Sequence, residues 1–283
     1  MTASATAPGH PGRLKRIVID LMIALAVIWA IGPILLVLMV SVKPTQDIIS
    51  TPPIWIFHPT FVHYHNVVGL KSFPFRMYLT NSIEVSIFGT ILTLAISFTT
   101  AYSLARYRTG GKNLDFWILS ARMVPPAVLI IPIYVLFNRI HLYDTVWCLI
   151  LIYLTFNVPL AVWVLRSFIR DVPFELEESA TVDGASVWRI LLRIVLPLVA
   201  PGIAAVAVLT FMASWNEFFF ALILTAVHGV TLTVGTATFV QAYQVLWGEI
   251  AAASTIGMLP PLILSFFAQG YLVRGLSLGA VKG

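Results

Sequence analysis

The run IVIDLMIALAVIWAIGPILLVLMVSV occupies residues 17–42 and is almost entirely apolar. A helix needs about 20 apolar residues to cross the roughly 30 Å hydrocarbon core of a bilayer, so this run is long enough to span it. Basic residues precede it, as in a signal peptide, but the run is too long for a cleavable segment and no small-residue cleavage site follows. It predicts a retained transmembrane helix.

Similar apolar stretches recur along the chain and decide the fold class. Only 10% of the 283 residues are charged and 59% are hydrophobic, whereas a soluble domain carries about 25% charge. Too few charges remain to cover a water-facing surface. The sequence therefore predicts an all-α, polytopic membrane protein with six transmembrane helices. Their predicted limits are residues 17–42, 81–104, 116–137, 146–165, 199–220 and 251–273.

The same composition argues against a soluble enzyme, a nucleic-acid-binding protein and a disordered chain. The net charge is +5, but the bases are scattered and form no phosphate-tracking patch. The single cysteine, Cys148, excludes an internal disulfide and a Cys-based zinc site. His58, His63 and His65 lack the further ligands of a metal centre. We therefore predict no catalytic residue and no metal site.

The basic residues indicate the orientation of the chain, because short cytoplasmic loops hold an excess of Lys and Arg. If the N-terminus is inside, 12 of the 17 bases fall in inner segments, four in outer segments and Arg122 within a span. This distribution predicts that both termini are cytoplasmic. Residues 1–16 are predicted to be a disordered N-terminus and residues 274–283 a cytoplasmic tail.

Two predicted outer segments are too long to be simple turns. Residues 43–80 are rich in proline and aromatic residues, which is typical of a structured ledge on the membrane surface. Residues 221–250 stay fairly apolar and contain VTLTVGTATFV. Irregular backbone at membrane depth is tolerated only where protein or water lines it, so we expect this segment to dip into the protein.

The inner loop of residues 166–197, called the 166–197 loop below, holds five of the twelve acidic residues. They are Asp171, Glu175, Glu177, Glu178 and Asp183. Pro173 suits the first turn of a helix and the carboxylates that follow favour its N-terminal end, so residues 173–183 predict a short amphipathic helix. Gly184 can adopt the positive φ that closes it, and Ser186 can cap a second short helix.

At this loop the sequence resembles the permease subunits of binding-protein-dependent ABC importers. Glu178-Ser179-Ala180, three residues, Gly184, nine residues and Ile194-Val195-Leu196-Pro197 are similar to the family motif E-A-A-x3-G-x9-I-x-L-P. Ser179 replaces an alanine of the motif, and a small residue still permits close packing. The final nine residues, GLSLGAVKG, and the pair Trp247-Gly248 followed by Ala251-Ala252-Ala253-Ser254 resemble the MalG-like, carbohydrate-uptake branch.

The resemblance implies a specific job for this loop, that of a cytoplasmic coupling loop. Its first helix docks into a groove on a cytoplasmic ATPase, where Glu178 offers a charge-assisted contact to a basic residue and Gly184 supplies the turn. The alternative is a solvated cytoplasmic loop whose charges reflect only the membrane topology and bind no partner. The coupling residues implied are Glu178, Ser179, Ala180, Asp183, Gly184, Ile194, Leu196 and Pro197.

The resemblance also implies the partners and the location. They are a second, homologous permease subunit, two ATPase subunits that bind ATP and Mg²⁺, an extracytoplasmic solute-binding protein, and the lipid of a bacterial inner membrane. This chain lacks a P-loop, because Gly110-Gly111-Lys112 does not fit the G-x4-G-K-[ST] frame. It is therefore not predicted to be the ATPase.

Ionisable residues at membrane depth are functional candidates because they are costly to bury there. Glu84 and Glu217 are predicted near the outer ends of the second and fifth spans, where they could face a shared vestibule. With Trp215 and Asn216, Glu217 suits stacking on a sugar and accepting its hydroxyls. The alternative is an interfacial Trp beside a Glu that caps a helix.

Arg122 is predicted in the third span, too far in depth from Glu84 for a direct ion pair. Three roles stay open for it: snorkelling to the inner headgroups, bonding to carbonyls freed by Pro125-Pro126, or meeting an anionic substrate. Prolines at 125, 126 and 132, and Pro159 beyond Asn157, predict breaks in the third and fourth spans. Such breaks commonly mark a translocation path, although a permanent kink is the alternative.

Two other functions compete with an importer permease. An ion-gradient-driven secondary carrier predicts paired repeats and a midplane ion site, and the sequence offers neither. A non-transporting membrane scaffold would use the 166–197 loop only as a binding face.

Overall fold

The computed structural model describes residues 13–69, 73–107, 109–240 and 245–280. Within them the backbone is helical and contains no sheet, with one isolated bridge between Val240 and Val245. The helices are α1 (Arg13–Ser41), α2 (Thr45–Ile48), α3 (Val62–Gly69), α4 (Phe75–Arg106), α5 (Gly111–Ser120), α6 (Pro126–Arg139), α7 (Val146–Asp171), α8 (Glu175–Val182), α9 (Val187–Ile190), α10 (Leu196–Leu198), α11 (Ala200–Trp215), α12 (Phe219–Leu224), α13 (Leu232–Ala237) and α14 (Trp247–Ala280). The all-α membrane fold is thus confirmed.

Four of these helices, α1, α4, α7 and α14, are each long and apolar enough to cross a bilayer. The third and fifth predicted spans are instead bent pairs. Residues 116–123 and α6 meet at 91°, and residues 187–198 and α11 meet at 79°. Counting each pair as one span gives up to six. The break predicted in the third span at Pro125 and Pro126 is therefore present, whereas the bend next to residue 199 was not predicted.

Proline explains the bend between residues 116–123 and α6, but not every proline breaks its helix. Pro125 and Pro126 follow a 3₁₀ turn at Ala121–Met123, and a proline there cannot continue the ladder of hydrogen bonds. The breaks predicted at Pro132 and Pro159 do not occur, because α6 and α7 run through these residues to Arg139 and Asp171. Helix α7 packs against α4 beside Pro159, where Ser97 Oγ of α4 donates to the Val158 carbonyl at 3.3 Å.

The ends of the long helices differ from the predicted boundaries. Helix α4 begins at Phe75, so residues 75–80 belong to it and not to the outer segment. Helix α14 continues to Ala280, so most of the predicted tail is helical backbone. Helix α1 begins at Arg13, so residues 13–16, for which disorder was predicted, are helical. Residues 1–12 and 281–283, for which disorder and a tail were predicted, lie outside the described residues.

Helix α7 lies at the centre of the bundle and α1 at its edge. In their most apolar windows, 56% of residues are buried for α7 and none for α1. Helix α7 packs against α4 and α11, whereas α1 contacts α14. The lipid-facing surface expected of a peripheral span is therefore carried by α1.

The segment between α11 and α14 does dip into the protein, as predicted. Val230, Leu232 and Val234 are buried, and the N–H of Leu232 donates to Ser82 Oγ of α4 at 2.8 Å. The amide of Asn81 donates to the carbonyls of residues 228 and 230 at 2.7 and 2.9 Å. The outer part of this segment is thus held by α4.

Candidate functional site

The 166–197 loop folds as the sequence predicts. Helix α8 begins just after Pro173 and carries three glutamates in its first turn. Gly184 adopts φ 79°, and Ser186 caps α9 by accepting the N–H of Arg189 at 3.4 Å. Both the glycine turn and the serine cap are confirmed. A π-helical turn, Leu191–Val195, then leads into α10.

Adjacent glutamates of α8 lie in opposite environments. Glu178 is exposed, whereas Glu177 is only 3% exposed. Consecutive residues of a helix point in different directions, so one carboxylate faces solvent while its neighbour faces the bundle. The exposed Glu178 is available to a partner and the buried Glu177 is not.

Three segments converge on Glu177. The hydroxyl of Tyr102 donates to its Oε2 at 2.7 Å, and the guanidinium of Arg106 donates from Nε to its Oε1 at 2.7 Å. Arg106 also donates to the Val172 carbonyl at 2.9 Å and lies 5.5 Å from the centroid of the Phe174 ring. The end of α4, the end of α7 and α8 are thereby joined through one buried ion pair.

An apolar surface surrounds the exposed side of this loop. A groove of about 600 Å³ runs between α4, α8 and α9. Val182 is 88% exposed and Trp188 64% exposed. Exposed apolar residues gathered beside a carboxylate are typical of a protein interaction site, which is what this loop can supply.

The other predicted coupling residues take different positions in the loop. Ser179, Asp183 and Pro197 are exposed, while Ala180, Ile194 and Leu196 are partly buried and pack against the inner hydrophobic cluster. The motif therefore contributes both to a solvent-facing side and to the packing that holds it.

Glu217 caps a helix, which was one of the two roles left open for it. It lies in the break between α11 and α12, where its carboxylate accepts the backbone N–H groups of Phe220 and Ala221 at 3.0 and 3.1 Å. The hydroxyl of Tyr153 donates to the same carboxylate at 2.7 Å. Helix α12 is thus fixed to α7.

Trp215 does not present its ring to solvent. It is only 6% exposed and stacks on Phe211 with 5.7 Å between the centroids. Next to it, Asn157 is buried and donates to Ser214 Oγ at 3.1 Å, joining α7 to α11. The aromatic face predicted to stack on a sugar is therefore covered, and an interfacial position for Trp215 is also wrong.

The remaining candidates of the spans lie nearer to solvent. Asn216 is exposed and donates to the Met212 carbonyl at 2.9 Å. Glu84 is half-buried on α4. Arg122 is exposed in the 3₁₀ turn of the bent third pair and not inside a straight span. These three side chains are not gathered into one buried cluster with Asn157.

The sequence did not single out Asp144, which holds two outer connections together. It adopts φ 60°, and its Oδ1 accepts the backbone N–H groups of residues 226–229 at 2.8 to 3.1 Å. Burial by itself raises the pKa of Asp144, but these hydrogen bonds hold that pKa well below its usual value. No sequence pattern predicts this contact, because Asp144 and residues 226–229 are far apart in the chain.

Glu177 was also missed as a distinct residue, because five acidic side chains in one loop look alike in sequence. Asp20 was overlooked within the first apolar run, where it lies exposed on α1. Neighbouring groups that could hold a metal ion are absent from the described residues.

The long helices and the bent pairs define an α-helical integral membrane protein with a folded, partly apolar loop. The chain belongs to the family described as binding-protein-dependent transport system inner membrane component, which matches residues 93–278. The predicted resemblance is confirmed.

Relatives and a solved structure agree with this assignment. A probable ABC transporter permease protein of Sinorhizobium fredii is 40% identical over 239 residues, covering 83% of this chain and 84% of that protein. The trehalose/maltose transport system permease protein MalG of Thermococcus litoralis is 33% identical, covering 95% and 98%. A chain of a bacterial ABC transporter that imports the acidic polysaccharide alginate shares the fold, with a TM-score of 0.78 and 21% identity over 94% of this chain and 100% of that one.

Proposed function

We propose that this chain is a transmembrane permease subunit of an ATP-driven ABC importer that takes up a sugar or a sugar-like solute. It forms half of the translocation pathway and couples to the ATPase through the 166–197 loop. The family assignment supports the importer. Relatives named for trehalose and maltose support the substrate class.

The observation that carries the proposal is the division of the 166–197 loop into an outer and an inner side. Glu178, Val182 and Trp188 face solvent, while Glu177 ties the loop to α4. A coupling helix needs an accessible face in order to dock and a firm attachment to the moving helices in order to pass the motion on. In this arrangement Glu178 meets a basic residue of the ATPase and the apolar residues fill its groove.

The remaining parts of the transporter are other polypeptides. A second homologous permease subunit completes the pathway, and two ATPase subunits bind ATP and Mg²⁺. An extracytoplasmic solute-binding protein delivers the solute onto residues 43–74 and onto the segment between α11 and α14. This chain supplies no cofactor site in this scheme.

The complex lies in a bacterial inner membrane with both termini of this chain in the cytoplasm. The three-to-one excess of bases in the inner segments supports this orientation. The 166–197 loop is then cytoplasmic, on the side where ATP is available, and Asp144 lies on the outer side.

The solute pathway is proposed to pass accessible polar groups on α4 and at the break between α11 and α12. Asn216 is exposed and Glu84 is half-buried, so each can offer hydrogen bonds. Asn157 and Glu217 shape the pathway by bracing its helices, since their polar atoms are already bonded internally. Arg122 adds a positive charge at the bend between residues 116–123 and α6.

Uptake by the assembled transporter in proteoliposomes tests the proposal. We expect solute accumulation that requires ATP and the binding protein. Uptake driven by an ion gradient without ATP would instead establish a secondary carrier, and no uptake in any condition would favour a scaffold.

A substitution within the docking face sharpens this test. Glu178→Gln removes one charge-assisted contact and should lower ATP-driven uptake about tenfold while insertion is unchanged. Glu175→Gln, at an exposed glutamate of the same helix, is the matched control. Equal uptake by the two variants would remove Glu178 from the docking role.

A further inference from the structure

Helix α4 connects the docking loop with the outer segment. Its inner end carries Tyr102 and Arg106, which bind Glu177 of α8. Its outer end carries Asn81 and Ser82, which bind the backbone of residues 228–232. The helix contains 32 residues, which corresponds to about 48 Å at 1.5 Å per residue.

The inner attachment is directional and largely buried, and it lines one side of the groove between α4, α8 and α9. The side chains of Arg106 and Glu177 are 9% and 4% exposed, and both carboxylate oxygens of Glu177 are used. A charge-assisted pair in such surroundings holds its geometry more firmly than a solvated one. Helix α8 cannot therefore shift relative to α4 without leaving a buried charge unpaired.

We propose that Glu177, Arg106 and Tyr102 form a clamp that makes α8 and α4 move as one body, so that displacement of α8 is carried along α4 to the outer segment at residues 226–232. The three are positioning residues, since none of them needs to touch the ATPase or the solute. This inference rests on the proposed function, because the displacement of α8 comes from the ATPase.

Glu177 and Glu178 thus have separate roles. Glu178 receives the motion from the partner, and Glu177 passes it to the bundle. Loss of Glu178 weakens docking, whereas loss of the clamp leaves docking intact and disconnects it from the outer side.

The test combines transport with a distance measurement on the reconstituted complex. Glu177→Gln and Arg106→Met should each keep ATPase binding and ATP hydrolysis but lower the number of solutes moved per ATP about tenfold. A spin label at Val227→Cys, a position that is 60% exposed, should change its mobility when ATP binds to the wild-type complex. That change should disappear in both clamp variants.

Controls separate the clamp from a general loss of structure. Glu175→Gln should keep both the coupling ratio and the label response. In the pair Arg106→Cys with Glu177→Cys, made without the labelled cysteine at position 227, a reducible thiol crosslinker should restore the coupling ratio, and reduction of the assembled complex should abolish it again.

Failure of the proposed function and failure of the clamp inference give different results. If the wild-type complex shows no ATP-driven uptake, the proposed function itself is wrong. If it transports, but the clamp variants keep the wild-type coupling ratio and label response, the clamp inference is overturned.

Discussion

Two carboxylates hold the inner and outer connections of this protein, and they do so with different partners. Glu177 accepts from a tyrosine hydroxyl and a guanidinium, which belong to another helix. Asp144 accepts mainly from four consecutive backbone N–H groups, at residues 226–229. The first contact is a paired charge between helices, and the second is an anion held by a turn.

The difference determines how each contact can be broken. The ion pair of Glu177 and Arg106 fails when either residue is replaced, because the other is then left charged and buried. The Asp144 contact depends mainly on Asp144, since the backbone donors remain when a side chain is replaced by any residue except proline. The inner connection is therefore sensitive at several positions and the outer one at a single position.

The largest effect is expected from Arg106→Met. It leaves the Glu177 carboxylate unpaired, which should destabilise the protein by about 3–5 kcal/mol. Adding Glu177→Met should recover part of this loss, because the buried charge is then gone. Thermal unfolding in detergent measures both. If the double variant were as unstable as the single one, the cost would come from packing and not from an unpaired charge.

Asp144→Asn should release the outer connection. It replaces charge-assisted hydrogen bonds by weaker ones, and a loss of about 1.5–3 kcal/mol increases local opening roughly 10- to 100-fold. Hydrogen exchange of the amides at residues 226–229 measures the opening. Asn138→Ala, on the last turn of α6, serves as the control, and equal protection in the two variants would contradict the assignment.

The pH dependence of the same contact follows from the lowered pKa of Asp144. A carboxyl whose pKa is lower in the folded state stabilises fully above its unfolded pKa of about 3.9, and the contribution is lost as pH falls through the folded value. Protection of residues 226–229 should therefore be the same at pH 7 and at pH 5 and decline only in stronger acid. A decline already between pH 7 and pH 5 would show that Asp144 does not control it.

Gly184→Ala should have a smaller effect. An added Cβ meets nothing within 4 Å, so only the positive φ of 79° is unfavourable, at about 1–2 kcal/mol. The unfolding temperature should fall modestly. Gly32→Ala in α1, where a Cβ also meets nothing within 4 Å, should leave it unchanged or raise it. A similar fall in both would exclude φ as the cause.

The smallest effect is expected from His228→Ala. Its Nδ1 lies 3.1 Å from the Asp144 carboxylate, but the side chain is 83% exposed, and such surface pairs contribute about 0–1 kcal/mol. Exchange at residues 226–229 should be nearly unchanged, because the backbone donors remain. A loss as large as that of Asp144→Asn would mean that the ring and not the turn holds the carboxylate.

The 166–197 loop shows how far local sequence reaches. Pro173, Gly184 and Ser186 act on their own neighbours, so the short helices, the turn and the cap were all predictable. The roles of Glu177 and Glu178 were not, because the partners of Glu177 lie 71 to 75 residues away in the chain. Sequence alone cannot tell which of two adjacent carboxylates faces the bundle.

The spans show the same division. Apolar length predicted six spans, and the structure has four long helices and two bent pairs; the bend of the third predicted span depends on how its prolines are accommodated. Pro125 and Pro126 break their helix, whereas Pro159 does not, since α7 is packed on several sides. Trp215 was placed correctly on the fifth span and wrongly at its surface, because burial against Phe211 is a tertiary contact.

The sequence by itself determined that the chain is a helical membrane protein, which family it resembles and how the 166–197 loop folds locally. Those properties depend on composition, on apolar length and on residues that act locally. Only the tertiary structure decided that α7 is central and α1 peripheral, that Glu217 caps a helix, and that Glu177 and Asp144 join distant segments. Each of these is a contact between residues far apart in the chain, and a linear pattern does not contain it.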